Sequence, residues 1–523
     1  MRRRWDRAWP AFAALLAVLA WTLSRVAFVE SHWDEDACVA IGWLLSKGWR
    51  LYADVFSHHM PLDYLPAWAL AKVFGGRLPV FRGFMVALWA AVCLAVFAAW
   101  RRREPGRVPA GPFLFALFTS QWLTYWLGEM MLVEAYWGYA VVLLLLLLGS
   151  PLGFPEPEVS RGEASAAGAL LGLLACASPT CWPLCALLAF WWAREPRWRA
   201  RLLPAAAGLA AWTGLFLLWC ARHADLSLWY ADVIQFNSRV YVGFYGFRGA
   251  HPLLSFAARS AAESAAYLGS ALRWNNFEQY FEAVLKCAVL AWIARRALAG
   301  RLLDALWWAA FVLALRARIE QPGSLPLHEG PYFLVATLLL ARQLCEAWAA
   351  ARRRPGPLPR LALACAALFF WLPTLIPTSL AAYSLKVYAG GDPAERQLAR
   401  SIQACTRPDD RVAVFPYYPR LYVESGRLPA VPAVFYLPWQ QAWPPQRAAV
   451  MEGLETRKPA AIAIRDATIW GVPWRDYGSE IASWTARGYL PVTRAAQAGD
   501  APAARLWVRK DLASAFVSCA RRL

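Results

Sequence analysis

Trp33-Asp34-Glu35-Asp36, then Gly48-x-x-x-Tyr52-x-Asp54, then His58-His59-Met60-Pro61-Leu62-x-Tyr64 is the stretch that decides how this chain folds. It follows an apolar run over residues 10–29 that is headed by Arg2-Arg3-Arg4. Basic residues before an apolar run resemble a signal peptide, but no convincing small-residue cleavage site follows. The run therefore reads as an uncleaved first span with its N-terminus in the cytoplasm. Carboxylates beside a bilayer are costly to keep and usually serve a purpose. The triplet Asp34-Glu35-Asp36 thus stands at a lipid–water boundary.

The rest of the chain supports a membrane setting. Of 523 residues, 59% are hydrophobic, and the mean hydropathy is positive at +0.34. Apolar runs separated by charged or Pro/Gly breaks give about eleven spans of the length a bilayer demands. They lie near residues 10–29, 80–100, 112–128, 134–149, 165–179, 181–193, 202–221, 279–295, 302–315, 330–348 and 360–380. The net charge of +19 does not point to nucleic acid, because the arginines form short blocks between apolar runs. Blocks at 101–103, 194–201, 295–296 and 352–354 fall on one side of the alternating spans, as topology signals do. The acidic loop near 151–164, with Glu156, Glu158 and Glu163, is the exception on that side.

All six histidines fall on the opposite, outer side: His32, His58, His59, His223, His251 and His328. Two outer loops are long, about 30–79 and about 222–278. The apolar stretches 37–45 and 62–73 are too short to span. They read as interfacial helices, with Trp33, Trp43, Trp49, Tyr52, Tyr64 and Trp68 at head-group depth. From about residue 383 the pattern changes to short β-like runs at 411–415, 461–465, 489–492 and 506–509, with helical patterns at 394–405 and 446–456. The expected fold is mostly α: a polytopic transmembrane helical bundle over residues 1–382 and a small extracytoplasmic α/β domain over 383–523. Most of the 11 cysteines lie in apolar segments, while Cys405 and Cys519 lie in the tail and can pair if it is extracytoplasmic.

Several side chains in these positions carry useful chemistry, and each has a plainer reading. Asp34 is either a helix cap or a carboxylate that accepts a proton. Glu35 and Asp36 suit the first turn of a helix or the holding of a substrate. His58 and His59 form an exposed loop pair or contact a phosphate. Glu134 opens the fourth span, with Glu129 just before it. Arg239, Arg248, Arg316 and Arg318 are surface cations or neutralise a phosphate. No Walker loop, strand-following GxGxxG, HExxH or GxSxG occurs, which removes support for nucleotide-driven transport and metalloprotease chemistry.

The quoted first-loop residues resemble integral-membrane glycosyltransferases of the GT-C fold. They look most like the bacterial branch of glycosyltransferase family 39, which includes lipopolysaccharide galacturonosyltransferase-like proteins. Glu134 matches that family's second acidic residue, and His328-Glu329-Gly330-Pro331-Tyr332 resembles its polar start of a late span. Met60 departs from the pattern, standing where some relatives carry Lys, so a lipid-phosphate contact must come from His58, His59 or an outer-loop Arg.

The resemblance implies transfer of a sugar from a polyprenyl-phosphate donor to an acceptor of unknown identity at the outer face of the inner membrane. Asp34 and Glu35 would be catalytic. Asp36, Tyr52, Asp54, His58, His59, Glu134, Arg239, Arg248 and His328 would bind substrate. No cofactor is demanded, and a divalent cation is compatible with the acidic residues. The lipid bilayer is a partner and nucleic acid is not. The alternative is a non-catalytic transporter or flippase of lipid-linked sugars, although no internal repeat of the kind common in transporters is present.

Overall fold

The computed structural model describes residues 8–26, 33–104, 110–125, 133–154, 159–244, 258, 262, 265–266, 268–270, 277–315, 330–352, 393–494 and 504–522. Every expected span that falls on these residues is a helix. These are α1 (Ala8–Val26), α4 (Leu78–Arg103), α5 (Ala110–Tyr125), α6 (Val133–Leu148), α7 (Arg161–Ala177), α8 (Trp182–Arg194), α9 (Leu202–His223), α10 (Phe277–Leu298), α11 (Leu302–Leu315) and α12 (Gly330–Arg352). The helices α2 (Trp33–Ser46) and α3 (Leu65–Phe74) lie between α1 and α4. The run 360–380 and the boundary at 382/383 lie outside the described residues. By length and composition α4, α9 and α12 can each cross a membrane, and α1, α5, α6 and α11 contain shorter apolar stretches. The chain is a multi-pass membrane protein.

The chain divides into two compact units. The first contains Met1–Phe28, Arg82–Leu217 and Leu254–Val387. Here α6 packs between α7 and α12, and α12 also packs on α5 and α10. The crossing of α7 and α9 is close because both supply glycine. A Cβ on Gly168 would lie 1.9 Å from the Ala205 carbonyl oxygen, and one on Gly208 would lie 1.9 Å from that of Ser165. Small residues let helices approach where lipid gives no hydrophobic drive to associate.

Charged side chains gather at one end of this unit. Arg102 pairs with Glu163 at 2.9 Å, Arg194 with Asp304 at 2.8 Å and Arg295 with Glu346 at 2.6 Å. Arg342 bridges Glu104 and Glu346 and donates to the carbonyls of Leu152 and Gly153. Arg296 donates to Pro151 O at 3.3 Å. The Arg-bearing segments on the expected cytoplasmic side thus meet one another. The acidic loop that broke the charge pattern supplies them with partners: Glu163 forms a capping box with Ser160 and still reaches Arg102.

The second unit contains Val29–Phe81, Leu218–Leu253 and Tyr388–Leu523. Its tail builds a four-stranded sheet in the order β1 (Val412–Phe415), β2 (Ala461–Ile464), β6 (Arg505–Arg509), β5 (Tyr489–Arg494). β1 and β2 run parallel with Val412 opposite Ala461, and the other pairings are antiparallel. Every residue of β1 and β2 is buried, which explains their unbroken apolar character. A small hairpin of β3 (Thr468–Ile469) and β4 (Val472–Pro473), unforeseen in the sequence, follows β2. Helix α13 (Pro393–Cys405) packs on α17 (Ala513–Ala520), and Cys405 forms a disulfide with Cys519. Between them in sequence lie α14 (Arg420–Ser425), α15 (Pro444–Arg457) and α16 (Ser479–Gly488).

The first loop packs inside this unit. α2 crosses α3 so closely that a Cβ on Gly42 would lie 2.5 Å from the Ala67 Cβ. α14 packs on α2, and a Cβ on Gly76 would lie 2.7 Å from Val423 and 2.9 Å from Trp43. Trp43, Trp49, Tyr52 and Tyr64, expected at head-group depth, are buried among protein groups. Trp68 is partly buried and packs edge-on to Trp219 at 5.7 Å. The Trp33 side chain lies outside the described residues.

Replacing Arg342 with Ala leaves Glu104 and two loop carbonyls without their buried partner. Breaking a buried pair from one side costs about 3 kcal/mol or more. Thermal unfolding of the purified protein in detergent should fall by several degrees. Arg342→Lys should recover only part of the loss, because an ammonium cannot reproduce the planar fork. An unchanged melting curve for Arg342→Ala would show that these contacts do not stabilise the unit.

Candidate functional site

The acidic triplet occupies the first turn of α2, where the exposed N–H groups favour negative charge. Asp34 lies inside that turn and not before it, so it is not the residue that caps the helix. Successive helical positions point about 100° apart, and here the rotation separates the three carboxylates. Glu35 is fully buried and Asp36 is 7% exposed, whereas Asp34 is exposed.

The tail lies against the buried pair. Burial pushes the Tyr417 phenol well above its ordinary value, and Asp36, Asp34 and Glu35 push it further, while a hydrogen bond with the Ala37 backbone opposes them. Burial depresses the Arg420 guanidinium, but Glu424 and then Asp36 outweigh it and hold it above its ordinary value. Arg420 pairs with Glu424 at 2.7 Å. Asp36 is thus held electrostatically by the tail, and Asp34 remains accessible.

Residues 47–64 run from α2 to α3 without regular structure for most of their length. Gly48 ends α2 at φ +93° and Tyr52 takes φ +71°, a left-handed conformation costly for a bulky residue. Tyr52 sits there because its groups are held at both ends: its N–H donates to Val55 O at 2.8 Å and its hydroxyl to His59 O at 2.7 Å. Leu51 N–H donates to His223 O, Asp225 N–H donates to Leu51 O, and Phe56 N–H donates to Pro432 O in the tail. Ser57 and Tyr64 share a 2.6 Å hydrogen bond between hydroxyls, and Ser57 Oγ accepts from His59 N–H at 3.0 Å. Burial raises the Tyr64 phenol first. Asp63 adds most of the charge effect and Asp34 a smaller part, so the triplet and the histidine loop stand near the same phenol.

The two histidines have different settings. His58 is buried, with its ring 4.8 Å from Tyr241, 5.6 Å from Phe236 and 4.2 Å from the His59 ring. Its carbonyl accepts from Asn237 Nδ2 at 2.8 Å. The His59 side chain is 31% exposed, and its Nδ1 lies 3.3 Å from Asp63 Oδ2.

Tyr241 and Asn237 belong to a helical segment after α9 that widens into π-helical turns at Tyr230–Gln235 and Asn237–Tyr241. Such turns are rare and concentrate at functional sites. Asn237 Nδ2 also donates to Val233 O at 2.7 Å, supporting the widened turn. Because Asn237 and Tyr241 both turn toward His58, Arg239 between them falls on the other side and is exposed.

The structure therefore brings together Asp34, Glu35, Asp36, Tyr52, His58 and His59 in one unit. Asp54 closes its own turn, accepting from Arg50 N–H at 2.7 Å. Glu134 opens α6 in the first unit, and its side chain lies outside the described residues. Glu129, Arg248, Arg316, Arg318, His32, His251 and His328 lie outside them as well. Among the described residues no group of three or more His, Cys, Asp or Glu side chains is arranged to hold a metal ion.

Asp63, Asp232, Asn237, Tyr417 and Arg420 went unrecognised in the sequence. Asp63 carried the clearest signal, four residues after His59 beside a helix start. Asp232, half-buried in the widened turns, gave none.

No family model matches the chain, and no curated protein matches it. Among solved structures it is similar to ArnT from Cupriavidus metallidurans in the apo state, at 14% identity and a TM-score of 0.58, over 97% of this chain and 99% of that one. It is also similar to the same protein bound to undecaprenyl phosphate, at 14% identity and a TM-score of 0.52, over 96% and 98% of the two chains. At this identity the likeness shows a shared fold, and it extends over nearly the whole of both chains.

Burial raises the Asp232 carboxyl from 3.8 to about 7. Between those values the folded protein keeps a proton that the unfolded chain has released. This group's contribution to stability is therefore full below about pH 4, falls as pH rises toward about 7, and changes no further above that. Asp232→Asn removes the dependence. The variant should melt higher than the parent near pH 8, with the gap closing near pH 4. An equal difference at both pH values would contradict the burial of this carboxyl.

Proposed function

We propose that this chain is a GT-C membrane glycosyltransferase that moves one sugar from a polyprenyl-phosphate donor to an acceptor at the outer face of the inner membrane. The observation that carries the reading is the fold shared end to end with ArnT, which has been solved with a polyprenyl phosphate bound. The first-loop motif supports it, since its acidic and histidine residues gather in one unit with the tail. The Cys405–Cys519 disulfide supports an extracytoplasmic tail, because disulfides persist in oxidising compartments.

The chemistry follows from the residues. The acceptor hydroxyl must lose a proton as it attacks the anomeric carbon, and the exposed Asp34 is the carboxylate of the triplet placed to take it. The bond between the anomeric carbon and the phosphate oxygen breaks, and its electrons leave with the polyprenyl phosphate. A single displacement inverts the anomeric centre. Glu35 and Asp36, both buried, fix the helix start that presents Asp34. The growing charge on the leaving phosphate calls for a hydrogen-bond donor, a role that suits His59. The acceptor is a glycolipid, glycan or protein, and the family 39 branch remains the reading of the first-loop motif.

Asp34→Asn tests the assignment. It keeps the shape of the side chain and removes the proton acceptor. Release of polyprenyl phosphate from labelled polyprenyl-phosphate sugars, assayed with envelope extract as acceptor, should fall by about a hundredfold or more while the melting temperature holds. Undiminished transfer by a well-folded Asp34→Asn protein would remove Asp34 from this role and pass it to Glu35 or Asp36. A flippase would relocate the donor without releasing polyprenyl phosphate at all.

A further inference from the structure

His59 is held at three points. Its N–H is held by Ser57 Oγ at 3.0 Å, its carbonyl by the Tyr52 hydroxyl at 2.7 Å, and its ring by Asp63 at 3.3 Å. Asp63 is 3% exposed and is itself fixed: its N–H donates to Met60 O at 3.1 Å and its carbonyl accepts from Cys38 Sγ at 3.1 Å. A buried carboxylate set against one ring nitrogen fixes an imidazole's orientation and leaves the other nitrogen for a ligand.

The surrounding groups show what that ligand would be. Among the described residues, Arg50 lies 3.6 Å from Asp225 and donates to Ala224 O, and Arg420 is paired with Glu424. Arg239 lies on the far side of its turn. Met60 brings no charge and accepts from Trp229 Nε1 at 3.4 Å. Buried His58 is enclosed by aromatic rings. Asp63 Oδ2 stands 3.3 Å from His59 Nδ1, so Nε2 is the ring nitrogen left for an anion.

We propose that Asp63 is a positioning residue that sets His59 to hold the phosphate of a polyprenyl-phosphate lipid. This rests on the glycosyltransferase reading above, and it gives the phosphate contact to a carboxylate–imidazole pair in place of a lysine or arginine. Asp63 acts through His59 and does not touch the lipid, since its own negative charge would repel the phosphate.

The test uses the purified full chain in detergent, with undecaprenyl phosphate as probe and undecaprenol as its uncharged control. The parent protein should bind undecaprenyl phosphate more tightly than undecaprenol. His59→Gln and Asp63→Asn should each weaken phosphate binding about tenfold, as expected for a charge-assisted hydrogen bond, and leave undecaprenol binding unchanged. The double variant should be no weaker than His59→Gln, because the two residues act as a unit. Asp63→Glu, which keeps the carboxylate, should recover part of the affinity. Asp63→Asn with parental phosphate affinity would overturn the positioning role, and so would equal losses for both lipids. If Asp63→Asn does not fold, His59→Gln and Asp63→Glu decide: parental phosphate affinity in His59→Gln overturns the proposal. A parent protein that does not distinguish the two lipids would overturn the lipid-phosphate reading itself.

Discussion

Residues 47–64 carry backbone amides that no helix or sheet satisfies, and the candidate site depends on how those amides find partners. A buried amide without a partner costs as much as a lost hydrogen bond, so an irregular segment is ordered only where other groups meet it. Two regions distant in sequence do so here, together with the loop's own side chains. The end of α9 supplies His223 O, the tail supplies Pro432 O, and the loop itself supplies the Tyr52 hydroxyl and Ser57 Oγ. With those in place Tyr52 is kept in a left-handed conformation, His59 is held at both backbone ends, and the acidic start of α2 lies against Tyr417 and Arg420.

That arrangement brings the tail to the candidate site. Its sheet is a conventional small α/β assembly, but the loop after β1 and the start of α14 bring Tyr417 and Arg420 to a helix nearly four hundred residues earlier in the chain. Burial then divides chemically similar residues. Of three adjacent carboxylates, one stays exposed and two are enclosed. Of two adjacent histidines, one is packed among rings and one is oriented by a buried aspartate. The fold shared with ArnT extends over almost all of both chains, tail included.

Much of the architecture could be read from the sequence because it is written in periodicity and composition. Apolar runs of spanning length became helices, the β-like runs of the tail became β1, β2, β5 and β6, and the patterns at 394–405 and 446–456 became α13 and α15. The Arg blocks meet at one end of their unit, as alternating spans require. The site was legible only in part. The first-loop motif picked out Asp34 and the histidines, but the burial of Trp43 and Tyr64 within the protein was not visible in it. Asp63 was hidden inside a motif read for its proline and leucine. Asn237 and Asp232 matter through π-helical turns, which no periodicity in this segment announces. Tyr417 and Arg420 reach the site through the folding of the tail, a contact too distant in sequence for pattern reading.

The central claim is that the chain breaks the bond between a sugar and a polyprenyl phosphate. The direct measurement is mass-spectrometric quantitation of free polyprenyl phosphate after purified protein in detergent, where no second compartment exists, meets a polyprenyl-phosphate sugar and an envelope extract. The account predicts free polyprenyl phosphate and a glycosylated acceptor in equal amounts, with product of inverted anomeric configuration. An intact donor pool in detergent, together with transbilayer movement of the same lipid in proteoliposomes, would contradict it and identify a carrier.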